Sequence, residues 1–296
     1  MSSGRPVAKS LIERAAQRYD FAKSAPRPTE PVPPGAPIDP VSFAPAAKAP
    51  PPAPARRQAV VDRDRLTEQG MIQPGAPVSG LAEEFRIVKR QLLQVARAAP
   101  ADGHARRILV CSAQPEEGKS FCAVNLALSL AAEKDVEVVL IDADFAKGEV
   151  PVMLGIDGGA GLLDALADDS VDVESLLIET DVPHLLVLPA GSRSHDDTEL
   201  LASARTARLL DALQAADPRR ILVFDSPPAL AASPASTLAH LVGQVLLVVR
   251  ADRTPESELR EAVALLDGPA EISLLLNRAR FAPGGKRFGT YYGYGA

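Results

Sequence analysis

The chain has 296 residues, a formal net charge of −6 at pH 7, 27 prolines, two cysteines and no tryptophan. That length holds one large or two ordinary domains, and the acidic balance gives no hint of a nucleic-acid surface, so no nucleic-acid partner is expected. There is no apolar run of about 18 residues to span a bilayer and no signal-peptide core, so a soluble protein is expected, with any membrane role arising through a partner. Cys111 and Cys122 sit in apolar stretches and read as buried thiols of a reducing cytosol, not as a disulfide framework.

Residues 1–80 read as a largely disordered leader. One short helix fits near 9–18, with Leu11, Ile12, Ala15 and Ala16 on one side and Ser10 and Glu13 spaced as a capping box. Twelve of the 27 prolines then fall between Pro26 and Pro54. So few large apolar residues cannot offset the entropy of ordering, which predicts an extended linker. The first strong helical pattern is Leu81–Arg97, where Leu81, Phe85, Val88, Leu92 and Val95 form one apolar stripe. Its polar side carries Glu83, Glu84, Arg86, Lys89 and Arg90, which can pair locally or across a subunit boundary.

From residue 107 apolar strands alternate with amphipathic helices. The strands are expected at Ile108–Ser112, Glu137–Ile141, Leu185–Leu188, Ile221–Phe224, Val245–Arg250 and Ile272–Leu276. Helices are expected near 119–132, 161–167, 199–216, 234–241 and 256–267. Continuous apolar strands separated by helices predict an α/β fold, a mostly parallel sheet covered on both faces. Ligands of such sheets bind at the C-terminal strand ends.

The first of these strands runs into Ala113-Gln114-Pro115-Glu116-Glu117-Gly118-Lys119-Ser120-Phe121. A strand, a short loop and then Gly-Lys-Ser at a helix start is the context of a phosphate loop, although Ala113 stands where the full pattern has its first glycine. Backbone N–H groups and the helix N-terminus would cradle a polyphosphate, with Lys119 on the outer phosphates and the Ser120 hydroxyl on Mg²⁺. Two further strand ends carry acids, Asp142 with Asp144 after Val138–Ile141, and Asp225 before Ser226-Pro227-Pro228. Beside a triphosphate such carboxylates hold Mg²⁺ or its waters, or accept a proton from a nucleophile. The three elements together predict a nucleotide site in a P-loop NTPase domain.

These motifs resemble those of the bacterial tyrosine kinases of polysaccharide co-polymerase systems, and most of all the soluble autokinases of exosortase-type exopolysaccharide loci. The resemblance runs continuously over roughly residues 81–296; Ser10–Ala16 and Asp64–Met71 also look like that subgroup. Ser112–Ser120 is similar to the family's Walker A, Val139–Asp144 to its Walker A′ and Leu222–Pro228 to its Walker B. Glu83, Arg86 and Lys89 are similar to its E-x-x-R-x-x-R oligomerisation motif, with Lys in the last Arg position. Tyr291, Tyr292 and Tyr294 place three of the four tyrosines in the last six residues, where the family carries its autophosphorylated cluster.

The resemblance implies a MinD/ParA-like P-loop domain at 81–276, including the assembly helix 81–97, and a flexible tyrosine-rich tail at 277–296. It implies ATP and Mg²⁺ as cofactors, with Lys119 on the transferring phosphate and Ser120 and Asp225 organising the metal. Asp142, with Asp144 close by, would act as base or orienter for the tyrosine hydroxyl. Asn277 would lie on the adenine side, though an amide ending a strand equally suits a turn. The implied partners are a homo-oligomer, possibly a ring, a transmembrane polysaccharide co-polymerase as activator and a tyrosine phosphatase. The location would be cytoplasmic, peripheral to the inner membrane.

Two departures stand out. Glu116 occupies a loop position where the family has Gly, which takes positive φ freely as Glu does not. Ser233–Ser236 stands where an acidic residue often follows Walker B. Two alternatives follow from these motifs. One is a positioning ATPase of the same superfamily, which would carry a second loop Lys where this chain has Gln114. The other is a catalytically weak regulatory member of the kinase family.

Overall fold

The computed structural model describes residues 56–99, 103–268 and 271–279. Its frame is one eight-stranded sheet in the order β1-β4-β5-β3-β6-β2-β7-β8. The strands are β1 (Arg57–Ala59), β2 (Arg107–Ser112), β3 (Glu137–Asp142), β4 (Ile178–Thr180), β5 (Leu185–Leu188), β6 (Arg220–Asp225), β7 (Gln244–Arg250) and β8 (Glu271–Asn277). Every neighbouring pair is parallel except β4 with β5. Every residue of β2 and β6 is buried, as strands covered on both faces require.

One sheet face packs against α2 (Gly80–Ala98) and α3 (Lys119–Ala131); the other packs against α5 (Leu162–Ala167), α8 (Ala204–Ala215), α9 (Pro234–Ala239) and α10 (Glu256–Leu265). Helix α3 is buried almost all round, which explains its small, apolar sequence: it lies between the sheet and α2. The six predicted strands and the Leu81–Arg97 helix appear with their ends shifted by at most a residue or two. The expected helix over 199–216 is two, α7 (Asp197–Ala202) and α8, because Ser203 is extended at φ −72° and ψ 152°. The short elements α4 (Glu149–Leu154), α6 (Val173–Leu176) and β4 had no prediction.

The domain boundary at residue 81 needs correction. The fold begins by Arg56: β1 pairs with β4 at the sheet edge, and α1 (Arg63–Glu68) follows, capped by the Asp62 carboxylate, which accepts from Arg65 N at 3.0 Å. Val61, Leu66 and Met71 are buried in the core. Ile72 N donates to the buried Asn125 Oδ1 at 2.8 Å, while Asn125 Nδ2 donates to Phe121 O at 2.7 Å. The leader's last part is therefore a strap tied to the helix that follows the phosphate loop. The expected helix near 9–18 lies outside the described residues.

A strap of this kind carries stability. Leu66→Ala should cost about 2–5 kcal/mol in urea unfolding, the range for a filled core site left as a cavity. An unchanged midpoint would mean that residues 56–72 do not contribute to the folded domain.

Candidate functional site

The site forms where β2, β3 and β6 end side by side. The loop after β2 turns on two left-handed residues, Glu116 at φ 65° and Gly118 at φ 97°. Glu116 adopts the conformation that its residue type disfavours, with its side chain exposed to solvent. Gly118 is fixed twice over: its φ favours glycine, and a Cβ there would lie 2.2 Å from Asn277 Nδ2. Gly118 then caps α3, so Lys119 and Ser120 are its first residues.

Glu117 is buried and braces the loop. Its carboxylate accepts from Gln114 N at 3.0 Å and from the Thr254 hydroxyl, and its carbonyl accepts from Asn277 Nδ2 at 2.9 Å. Thr254 Oγ1 in turn accepts from Arg250 N at 3.0 Å. Three strand-end segments thus meet on one loop residue. Sequence reasoning missed Thr254, because nothing local marks a threonine after β7 as the partner of a glutamate 137 positions away. A cleft of about 410 Å³, lined by Gln114, Pro115, Glu116, Arg250 and Arg253 among others, opens beside this brace.

Lys119 lies under the loop among carboxylates. Its ammonium is 2.6 Å from Asp144 Oδ2 and 3.7 Å from Asp225 Oδ1, and it donates to Ser120 Oγ at 3.1 Å. Asp142 and Asp225 are register partners across β3 and β6 and are fully buried. Asp142 Oδ2 accepts from Val150 N at 3.0 Å, whereas Asp142 Oδ1 lacks a hydrogen-bond donor and Asp225 faces only the Ser120 hydroxyl and the Lys119 ammonium.

These positions set the charges. Burial, and then the charge of Asp225, push the Asp142 carboxyl up to about 7. Burial pushes Asp225 up to about 6 against the opposing pull of Lys119. For Lys119 burial works against the ammonium, but Asp225 and Asp144 outweigh it and raise the pKa.

Such a site suits a hard cation presented with phosphates. Ser120 Oγ and the Asp225 oxygens are the oxygen donors that Mg²⁺ prefers. Among the described residues no three His, Cys, Asp or Glu side chains are arranged to hold a metal ion by themselves. That is compatible with Mg²⁺, which usually takes one or two carboxylates and fills its shell with phosphate and water.

The structure therefore brings together Ala113–Phe121, Asp142, Asp144, Asp225 and Asn277. It places Asn277 against the loop backbone, with its Oδ1 accepting from Arg278 N at 2.8 Å. Glu83 and Arg86 pair within α2 at 2.6 Å on a partly exposed face. Lys89 departs from the expected assembly face: it is buried, donating to Ser129 O at 2.8 Å and pairing with Glu133 at 2.7 Å. Its long stem crosses from α2 to the end of α3, so its charge is spent inside the subunit. Tyr291, Tyr292 and Tyr294 lie outside the described residues.

Comparison with known proteins places this site among phosphate-loop proteins. A ParA family model, described as NUBPL iron-transfer P-loop NTPase, matches residues 104–182. The putative tyrosine-protein kinase EpsB of Ralstonia nicotianae is 32% identical over 216 residues, 69% of this chain and 28% of that protein. The chain thus spans little more than a quarter of EpsB. The tyrosine-protein kinase YwqD of Bacillus subtilis is 28% identical, over 68% of this chain and 81% of its own. Among solved structures, the VpsO kinase domain matches at 30% identity with a TM-score of 0.53, covering 65% of this chain and 98% of that one. The kinase domain of Escherichia coli ETK, at 22% identity and TM-score 0.59 over 76% and 92%, shares the fold.

The raised Asp142 pKa has a stability consequence. Folding holds its proton between the unfolded pKa near 3.8 and about 7, so its charging makes the nucleotide-free protein less stable as pH rises through that window. Asp142→Asn should raise Tm at pH 8, with the gain shrinking as pH falls and vanishing below about pH 3, where Asp142 is protonated in the folded and the unfolded chain alike. A gain that is independent of pH in thermal melts would reject the buried-charge account.

Proposed function

The chain belongs to the bacterial tyrosine-protein kinase family, and from that premise we propose that it is an ATP-dependent protein tyrosine autokinase serving exopolysaccharide polymerisation or export. One observation carries the reading. A phosphate-loop lysine and three strand-end carboxylates converge in a chain whose last six residues hold three tyrosines. EpsB and YwqD are named as tyrosine-protein kinases, and ExoP of Rhizobium meliloti, 30% identical, is named a succinoglycan biosynthesis transport protein.

In this reading the loop N–H groups and the α3 N-terminus hold the phosphates of ATP. Ser120 and Asp225 would hold Mg²⁺, which when bound neutralises charge on the phosphate oxygens. Lys119 leaves Asp144 for the transferring phosphoryl group. The tyrosine oxygen bonds to the γ-phosphorus as the bond to the ADP oxygen breaks. The phenolic proton passes to Asp142 Oδ1, the carboxyl oxygen that has no donor. A carboxyl near pH 7 suits that exchange. Asn277 and the cleft beside Glu117 are the base side of the nucleotide.

Tyr291, Tyr292 and Tyr294 are the acceptors, reached from a neighbouring subunit. Glu83 and Arg86 supply the assembly contact, and a transmembrane polysaccharide co-polymerase keeps the protein at the inner membrane. Phosphorylation loosens the assembly, since each phosphotyrosine adds about −1.5 to −2 charge; a tyrosine phosphatase reverses it.

Lys119→Met should lower tail phosphorylation by about 10²–10³ while nucleotide binding falls far less, because lysine stabilises charge that develops in transfer. Full autophosphorylation of that variant would dismiss the assigned role of the loop. Mixing Lys119→Met chains that keep their tyrosines with active chains whose three tail tyrosines are Phe tests transfer between subunits. Label is expected on the inactive chain; its absence there, with wild-type labelling normal, rejects transfer in trans.

A further inference from the structure

At the far edge of the sheet, β8 presents an apolar surface that no described residue covers. It pairs with β7 on one side and ends the strand order on the other. Its outer edge therefore offers unpaired backbone donors and acceptors, the usual template for an added strand. Side chains two apart share a face, so Leu274 and Leu276 lie with Ile272, which packs against the core cluster that includes Ala262 of α10 and Leu266 just after it. Ile272 is partly covered, but Leu274 is 58% and Leu276 60% exposed. Two large apolar side chains next to each other on one face of an open edge strand are more than scattered exposure.

The same region is acidic. Between Asp252 and Glu271 the sequence has six carboxylates, Asp252, Glu256, Glu258, Glu261, Asp267 and Glu271, against Arg253 and Arg260; Glu256 already pairs with Arg260 and Asp267 faces His240, which leaves Glu258 and Glu261 on α10. The described chain ends at Ala279, directly after this strand. Arg278 there has φ 56°, a left-handed residue of the kind that turns a chain.

The 17 residues that follow, 280–296, have complementary chemistry. They contain Arg280, Lys286 and Arg287 and no acid, and five aromatic residues, Phe281, Phe288, Tyr291, Tyr292 and Tyr294. The whole chain has only 8 Phe and 4 Tyr, so nearly half its aromatic residues follow the exposed strand.

We propose that residues 280–296 dock in cis on the β8–α10 face of their own chain, Phe281 and Phe288 covering Leu274 and Leu276 while Arg280, Lys286 and Arg287 meet Glu258 and Glu261 of α10. The occupant is tethered two residues beyond Asn277, so it competes at a high effective concentration against any untethered segment. β8 runs toward the phosphate loop and ends there at Asn277. A segment doubling back along it carries its last residues away from Lys119. Docking is independent of the kinase reading. If that reading also holds, docking withdraws the tyrosines from the subunit's own site.

Amide hydrogen exchange on the full chain tests this without reference to activity. Uptake across Ile272–Leu276 is compared with a chain ended after Ala279 and with full-length Phe281→Ser/Phe288→Ser. Both changes should speed exchange of the β8 amides about tenfold while β2 and β3 stay protected. Protection in the full chain should persist on dilution. Equal uptake in full and shortened chains overturns the proposal. Protection that fades on dilution overturns it in favour of a second copy's tail. If the shortened chain loses protection throughout the sheet, the serine variant decides, and unchanged β8 uptake there overturns the proposal.

Discussion

Three carboxylates buried beside one lysine are the constraint around which this domain is built. Parallel pairing of β3 and β6 sets Asp142 opposite Asp225, and neither is exposed to water. Asp144 sits on the turn just beyond. Lys119 opposes Asp144 and Asp225, yet Asp142 Oδ1 has no donor and Asp225 has only Ser120 and a distant Lys119. Groups of this kind are costly when buried without partners, and a native fold that retains them keeps them for chemistry. In the proposed function a Mg²⁺ ion would supply the positive charge that these carboxylates lack.

Holding that arrangement needs rigidity from several directions. Glu117 joins the loop after β2 to Thr254 and Asn277 at the ends of β7 and β8. The packed α3 anchors Lys119 and Ser120 from below. Asn125 of α3 is tied to the leader strap at Ile72. Lys89 fixes α2 to the end of α3. The phosphate loop is therefore braced from one sheet face and from the ends of the neighbouring strands, and a left-handed Glu116 is tolerated where glycine would be easier.

Much of this was legible in the sequence. Fully buried strands write themselves as continuous apolar runs, and Gly118-Lys119-Ser120 with the strand-end acids marks the site locally. The remainder depends on contacts that no local pattern records. The strap at 56–72 interleaves its apolar residues with charges, so it has no helical or alternating period to read. β4 has only three residues and borrows its order from β1 and β5. Lys89 has the spacing of a surface charge on α2 and is buried only because Ser129 and Glu133 lie where its stem ends. Thr254 gains its role from Glu117, a relation visible only in three dimensions.

Mapping phosphate after incubating the purified full-length protein with Mg²⁺ and γ-labelled ATP tests the central claim most directly. The account predicts label on phosphotyrosine, concentrated at Tyr291, Tyr292 and Tyr294 and abolished by removing Mg²⁺. ATP hydrolysis that proceeds with Mg²⁺ but leaves those three tyrosines unlabelled would contradict it.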